Sequence, residues 1–258
     1  VNAFAFEPGQ RWVFVFPHPD DELAVAAFLR RLCLDGAEVH AVWLHHTPVR
    51  KSESTAVAAE LGIHESRMHF WHGEDGQLCE QMAEALPWLS ELISSIEPDR
   101  VATCAFEQGH LDHDATHVLV RRAFSGPVLE FPLYYGYHTI MQRMNRFSDP
   151  TGQSVLLLSP EETRLKKSWA KRYPSQTIYR VLCTYHLCCG ILGQPAKLAT
   201  REVLRPGTTR EFLVPNHSGW RRHRLEVSDR WRRWTIAYRE FESQYEPAVG
   251  LTSSPAAN

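Results

Sequence analysis

No uninterrupted apolar run in the sequence is long enough to cross a bilayer, since charge or proline breaks every candidate, as Glu91 breaks Leu86 to Ile96. Nor does one sign of charge dominate. The 28 Lys and Arg face 30 Asp and Glu, a net charge of -2 that gives no general pull toward nucleic acid or an anionic membrane. The six cysteines include no Cys-x-x-Cys pair, which argues against a zinc ribbon or a dithiol redox motif. Residues Val1 to Gln10 lack the basic flank and apolar stretch of a secretion signal, so the cytoplasm is the expected location.

What is present suits one domain with a sizeable core: 258 residues, 43% of them hydrophobic. The first half alternates short apolar runs with longer helical patterns, the signature of βαβ units and a parallel sheet. Strands are expected at about Trp12 to Phe16, Glu38 to Leu44, Met68 to Trp71, Arg100 to Ala105 and Val128 to Phe131, the last closing the sheet. Helices are expected over Glu22 to Leu34, Ser52 to Leu61, Glu80 to Ile96 and His113 to Phe124. In the second half, Ser159-Pro160-Glu161-Glu162 opens a helix with a capping box and a proline at its first position. Beyond Pro206 the pattern mixes short strands with Arg and Trp. Arg221 to Trp234, with six arginines around Trp231 and Trp234, reads as a solvated strand pair rather than a nucleic-acid surface.

Two segments carry chemistry. Pro17-His18-Pro19-Asp20-Asp21-Glu22 stands where the first strand gives way to the first helix, the end of an open parallel sheet at which ligands bind. Glycine is missing where a dinucleotide-binding turn would need it, for the first glycine after this strand is Gly36. A histidine and carboxylates stand there instead, and imidazole and carboxylate both suit a borderline cation such as zinc. Gly109-His110-Leu111-Asp112-His113 follows the fourth strand at the same end of the sheet, so the clusters can face one another across the crevice. His117, one helical turn beyond His113, is a further candidate ligand by spacing alone.

The pair His18-Pro-Asp20-Asp21-Glu22 and His110-Leu-Asp112-His113 resembles the signature of the LmbE/PIG-L family of zinc-dependent de-N-acetylases. Weaker matches are Arg50-x-x-Glu53, Asp75-Gly76-x-Leu78 and Tyr173-x-Ser175-Gln176, so the resemblance runs from about Trp12 to Gln176. It implies an α/β, Rossmann-like fold: a mostly parallel sheet flanked by helices, with a mixed α+β C-terminal portion. The core would span about 11–190, an extension about 191–252, and a mobile tail 253–258. The resemblance assigns His18, Asp21 and His113 to zinc, or to another divalent ion, leaves Asp20 as general base, and places His110 near the reacting acyl group. Three protein ligands would leave an open position for water. A protonated His110 would stabilise the oxyanion, with Asp112 fixing its tautomer if the loop is extended.

The implied reaction is removal of an acetyl or similar acyl group from the amide nitrogen of an N-acetylated amino sugar or glycoconjugate. Arg50 and Asp75 match positions near the sugar, and the aromatic stretch Phe131 to Phe147 could stack on it. The expected partner is that small molecule, with no nucleic acid and no transmembrane segment; an oligomer is compatible with the sequence. The chain departs from the family pattern in three places. Leu23 to Ala27 replaces a glycine-rich stretch, Leu111 replaces a frequent proline, and Gln108 occupies the position of a mobile tyrosine. Two histidines and a carboxylate also serve non-haem iron oxygenases, but on all-β scaffolds; a silent binding module would have no need of an unliganded Asp20.

Overall fold

The computed structural model describes residues 2–135, 143–193, 197–208 and 211–245. Five parallel strands form its centre: β1 (Arg11–Phe16), β2 (Glu38–His45), β3 (Met68–Gly73), β4 (Arg100–Cys104) and β5 (Val128–Phe131). Between them run α1 (Ala26–Leu34), α2 (Pro48–Leu61), α3 (Met82–Ile96) and α4 (Leu111–Ala123). The order β3-β2-β1-β4-β5 reverses direction at β1 and β4. The crevice of an open α/β sheet therefore lies beyond the carboxyl ends of those two strands, from which the two motifs emerge.

Strand β1 shows how the sheet is covered on both faces. Trp12, Phe14 and Phe16 alternate with Val13 and Val15, so the aromatics enter one core with α1 and α2, and the valines enter the other with α3 and α4. Every one of these side chains is fully buried. Val128 to Phe131 does not close the sheet. After the short ladder of β6 (Tyr134–Tyr135) and β7 (Arg143–Met144), the strands β8 (Ser154–Leu157) and β9 (Arg201–Pro206) extend it, β9 pairing antiparallel to β5. Between β8 and β9 lie α5 (Pro160–Ala170) and α6 (Ile178–Ile191). The capping box expected at Ser159 is formed with Glu162.

The expected strand pair at Arg221 to Trp234 is instead two helices, α7 (Gly219–Glu226) and α8 (Asp229–Tyr245). The reason is a helical period that the Trp and Arg content hides. Trp231, Trp234, Ala237 and Phe241 form one buried stripe against α3, while Arg230, Arg232 and Arg233 face solvent. Trp234 also donates its indole N–H to the Phe212 carbonyl at 2.7 Å. The tail expected at 253–258 lies outside the described residues. Among the described residues no helix is long and apolar enough to cross a membrane.

The loop after β4 is held by a buried carboxylate. Glu107 accepts the Leu133 amide at 2.8 Å, and its own amide donates to Asp114 Oδ1 at 3.1 Å. Burial, with Glu130 and Asp114 nearby and Arg205 opposing them, pushes the Glu107 carboxyl up to about 8. A carboxyl raised in the folded state from its ordinary 4.5 contributes stability that is complete below that value and is lost as pH rises toward 8. The urea midpoint of the wild type is therefore expected to fall across this window relative to Glu107→Gln; parallel pH profiles would remove Glu107 as the source. Trp234→Ala is expected to cost about 3–5 kcal/mol by equilibrium denaturation, and a loss under 1 kcal/mol would show that α8 is not part of the cooperative core.

Candidate functional site

The segment after β1 does not continue directly into a helix. Asp20 sits at φ 113°, a left-handed conformation costly for a residue with a side chain. A 3-10 turn, Asp21–Ala24, follows before α1 begins at Ala26. Glu22 holds this shape. Its carboxylate accepts the Asp20 amide at 2.8 Å, Ser54 Oγ at 2.6 Å, Trp43 Nε1 at 3.2 Å and the Tyr173 hydroxyl, and it is wholly buried. Burial pushes the Glu22 carboxyl above its usual range, against the donors around it. The sequence marked Glu22 only as part of a motif; its role is set by partners from β2, α2 and the segment before α6.

Around the crevice the expected ligand side chains converge. Asp21 Oδ2 lies 3.3 Å from His18 Nδ1 and 3.6 Å from His113 Nε2. The ring centroids of His18, His110 and His113 lie 4.8–5.4 Å apart. One ring nitrogen from each of these three histidines falls within 4.8 Å of the others, as do donor atoms of His18, Asp75 and Asp112. His110 therefore bounds the same small space as the trio His18, Asp21 and His113. His117 does not join it: its Nδ1 meets the Cys104 carbonyl at 2.9 Å.

Burial pulls the His113 imidazole down to about 3, which keeps it neutral. Although burial opposes ionisation of Asp21, His113 and His18 hold its carboxyl below the ordinary range. A neutral imidazole and an ionised carboxylate are the states a metal ligand needs. Burial also opposes charge on His18, but hydrogen bonds to Asp112 and Asp21 raise it to about 10. A field that holds a proton so firmly also favours a cation that displaces it. Asp20 differs from Asp21 in sign: burial, then Asp21 and Glu22, push its carboxyl well above the usual value. Two adjacent carboxylates driven apart in this way suit one acceptor of protons and one ligand.

Asp112 does not orient His110 as expected. The loop is not extended there, because α4 begins at Leu111 and places Asp112 in its first turn. The carboxylate instead contacts His18 Nε2 at 2.9 Å and accepts the Gly76 and Leu78 amides at 2.7 and 3.0 Å. His110 caps α4, its Nδ1 accepting the Asp112 amide at 3.3 Å. Burial and then His18 lower the His110 imidazole, so its surroundings favour the neutral ring over the protonated donor expected from sequence.

Arg50 and Asp75 do meet at this rim. Arg50 Nη1 lies 3.0 Å from Asp75 Oδ2, Arg50 Nη2 donates to Gln176 Oε1 at 2.7 Å, and Asp75 Oδ1 lies 3.5 Å from His18 Nε2. His45, at the carboxyl end of β2, was missed in the sequence. Its Nδ1 donates to the Gly73 carbonyl at 2.7 Å, and its buried Nε2, with no hydrogen-bond partner, faces Asp75 Oδ2 at 3.9 Å. Its position at a strand end beside the switch point is the signal that could have found it. Gln108 is turned away, its amide engaged by Val214 and Asn216. Within the aromatic stretch Phe131 to Phe147, residues 136–142 lie outside the described residues, Tyr137 and His138 included. A cavity of about 830 Å³ opens beside Asp20 and Asp21.

Comparison with known proteins bears on the fold that carries this site. No curated protein sequence matches the chain. A teicoplanin-pathway deacetylase, the triple mutant Orf2*T, superposes with a TM-score of 0.56 at 19% identity, over 76% of this chain and 97% of that one. N,N'-diacetylchitobiose deacetylase from Pyrococcus horikoshii gives 0.54 at 15% identity, over 76% and 83%. The conserved protein TT1542 from Thermus thermophilus gives 0.52 at 20% identity, over 81% and 99%. At these identities the likeness is one of fold. The family model described as PIG-L, GlcNAc-PI de-N-acetylase, matches residues 13–124, a segment that holds both motifs.

Proposed function

We propose that the chain is a metal-dependent hydrolase that removes an acyl group from the amide nitrogen of an N-acylated amino sugar or glycoconjugate. The observation that carries this reading is the juxtaposition of Asp20, on strained backbone and with a raised carboxyl, beside the buried trio His18, Asp21 and His113. The domain match and the deacetylase neighbours support it. His18, Asp21 and His113 would hold the ion, with His110 close enough to share that space. A bound divalent cation would polarise the amide carbonyl and make a nearby water more acidic.

The protein groups supply the rest. Asp20 takes the proton from the attacking water, a task for which a carboxyl raised above its usual range is suited. Because His110 Nδ1 accepts the Asp112 amide, its neutral ring carries hydrogen on Nε2 and can donate to the oxyanion without being charged. Asp112 acts on His18 rather than on His110, fixing that ring from the far side. Arg50 and Asp75 would bind hydroxyls of the amine portion, with the bare Nε2 of His45 as a further acceptor.

Zinc is the first ion to test, though one related structure is described as the zinc inhibited form of teicoplanin deacetylase Orf2, so cobalt, manganese and nickel belong in the same series. Chelation is expected to abolish release of free amine from N-acetylglucosamine or N,N'-diacetylchitobiose, and one of these ions should restore it; turnover by metal-free protein would overturn the reading. Asp20→Asn should keep the metal, measured by elemental analysis, while kcat falls on the order of 10²–10⁴-fold. His113→Ala should lose the metal itself. Arg50→Ala should raise KM more than it lowers kcat, and the reverse split would move Arg50 from substrate binding into the chemical step.

A further inference from the structure

The crevice is divided into two unlike halves. On the side of β2 and β3 stand His45, Arg50 and Asp75, an imidazole, a guanidinium and a carboxylate suited to hydroxyl groups. On the side of β5 the cavity of about 830 Å³ is walled by Leu23 and Ala24 of the 3-10 turn, Leu133 after β5, and Ile178, Val181 and Leu182 of α6. Asp20 and Asp21 belong to both halves. They line the cavity, and Asp21 also touches His18 and His113.

An amide hydrolysed at Asp20 and Asp21 has two substituents, which must leave the reacting carbon and nitrogen in different directions. The hydroxyl-bearing amine portion matches the polar half. The acyl portion is then left to face the cavity, whose volume lies in the range of sites that enclose whole small-molecule ligands and far exceeds an acetyl methyl. Three cations line the cavity with these apolar residues, and two of them, Lys167 of α5 and Arg180 of α6, are exposed to solvent. Lys166, the buried third, is committed to Glu202 Oε1 at 2.7 Å and the Ala24 carbonyl at 3.3 Å, so its stem rather than its charge is free to face the space. Val181 remains 42% exposed, apolar surface that no described residue covers.

We infer that the acyl group removed is a medium-length alkyl chain held in this cavity, rather than acetyl alone. The inference rests on the proposed hydrolysis and adds its acyl specificity. In the balanced step the C–N bond of the amide breaks, the oxygen of water joins the acyl carbon to give a fatty carboxylate, and both protons of that water end on the amine nitrogen, which leaves as an ammonium.

The test is a series of N-acetyl-, N-butyryl-, N-hexanoyl- and N-octanoylglucosamine, kept below micelle formation, given to the metal-loaded protein with free amine as the readout. kcat/KM should rise along the series, by on the order of a hundredfold from acetyl to octanoyl if a good part of the added methylene surface is buried. A flat or falling series overturns the inference. Octyl N-acetylglucosaminide carries the chain on the sugar instead, and an equal or larger gain from it also overturns the inference, because the cavity would then take an aglycone. Val181→Trp, at a half-exposed position that tolerates bulk, should lower the octanoyl-to-acetyl ratio by about tenfold or more, and an unchanged ratio counts against the cavity. Calorimetry separates the two levels. N-octanoylglucosamine bound at least tenfold tighter than N-acetylglucosamine, but never hydrolysed, leaves the cavity assignment standing and defeats the hydrolase; equal binding defeats the cavity assignment whatever the turnover.

Discussion

The site depends on one buried carboxylate that does no chemistry itself. Glu22 is completely enclosed, and a carboxyl at such a place is tolerated only if its oxygens are taken up by hydrogen-bond partners. Ser54, Trp43, Tyr173 and the Asp20 amide do this, and they come from α2, β2, the turn before α6 and the motif itself. The consequence is mechanical. The Asp20 amide cannot turn to a relaxed conformation without giving up its hydrogen bond to this buried carboxylate, so the left-handed backbone is held against its strain. Because Asp21 and His18 lie on either side of that residue in the motif, the positions of the proposed proton acceptor and of two proposed ligands are set by a hydrogen-bond hub behind them.

A second consequence concerns charge. His18 and His113 are both buried histidines beside Asp21, yet one is driven up to about 10 and the other down to about 3. Depth does not separate them. His18 has Asp112 at 2.9 Å in addition to Asp21 at 3.3 Å, while Asp21 stands farther from His113, at 3.6 Å, and His110 and His18 add to the cost of burial there. Asp112, itself anchored by the Gly76 and Leu78 amides, is what makes the His18 side of the crevice the negative one. A cation at the proposed site would meet one histidine embedded in carboxylates and another already free of its proton.

Which parts of this were legible in the sequence follows from the range of the interactions. The parallel core was readable because strand burial and helix periodicity are local, and Val128–Phe131 falls where expected. The convergence of His18 with His113 was readable because both motifs sit at the ends of strands that a switch point brings side by side. Partners reached by distant contacts were not. Ser54 and Tyr173 meet Glu22 from 32 and 151 residues away, and nothing in the motif announces them. Asp112 was misplaced because α4 starts two residues earlier than its pattern suggested, which turns a same-side relation in an extended loop into a helical one. The α8 stripe was hidden because Trp favours strands as a type, whereas its spacing here is helical, and packing against α3 decides.

The division of the crevice also divides the chain. His18, Asp20, Asp21, His110 and His113, together with His45, Arg50 and Asp75, all lie within residues 13–124, the stretch that matches the family model. The cavity wall contributed by Leu133, Ile178, Val181 and Leu182 lies beyond it. That outer wall is nevertheless fixed to the core: Glu202 of β9 accepts the Ala27 and Phe28 amides at the start of α1 and holds Lys166 of α5. Its carboxylate thus satisfies helix N–H groups and neutralises a buried cation in one place, binding the outer wall to the end of the helix that follows the motif. A fold built this way can keep the proposed reacting groups on strand ends while side chains of α6 shape what they meet, because Val181 and Leu182 line the cavity without contributing to the Glu22 hub.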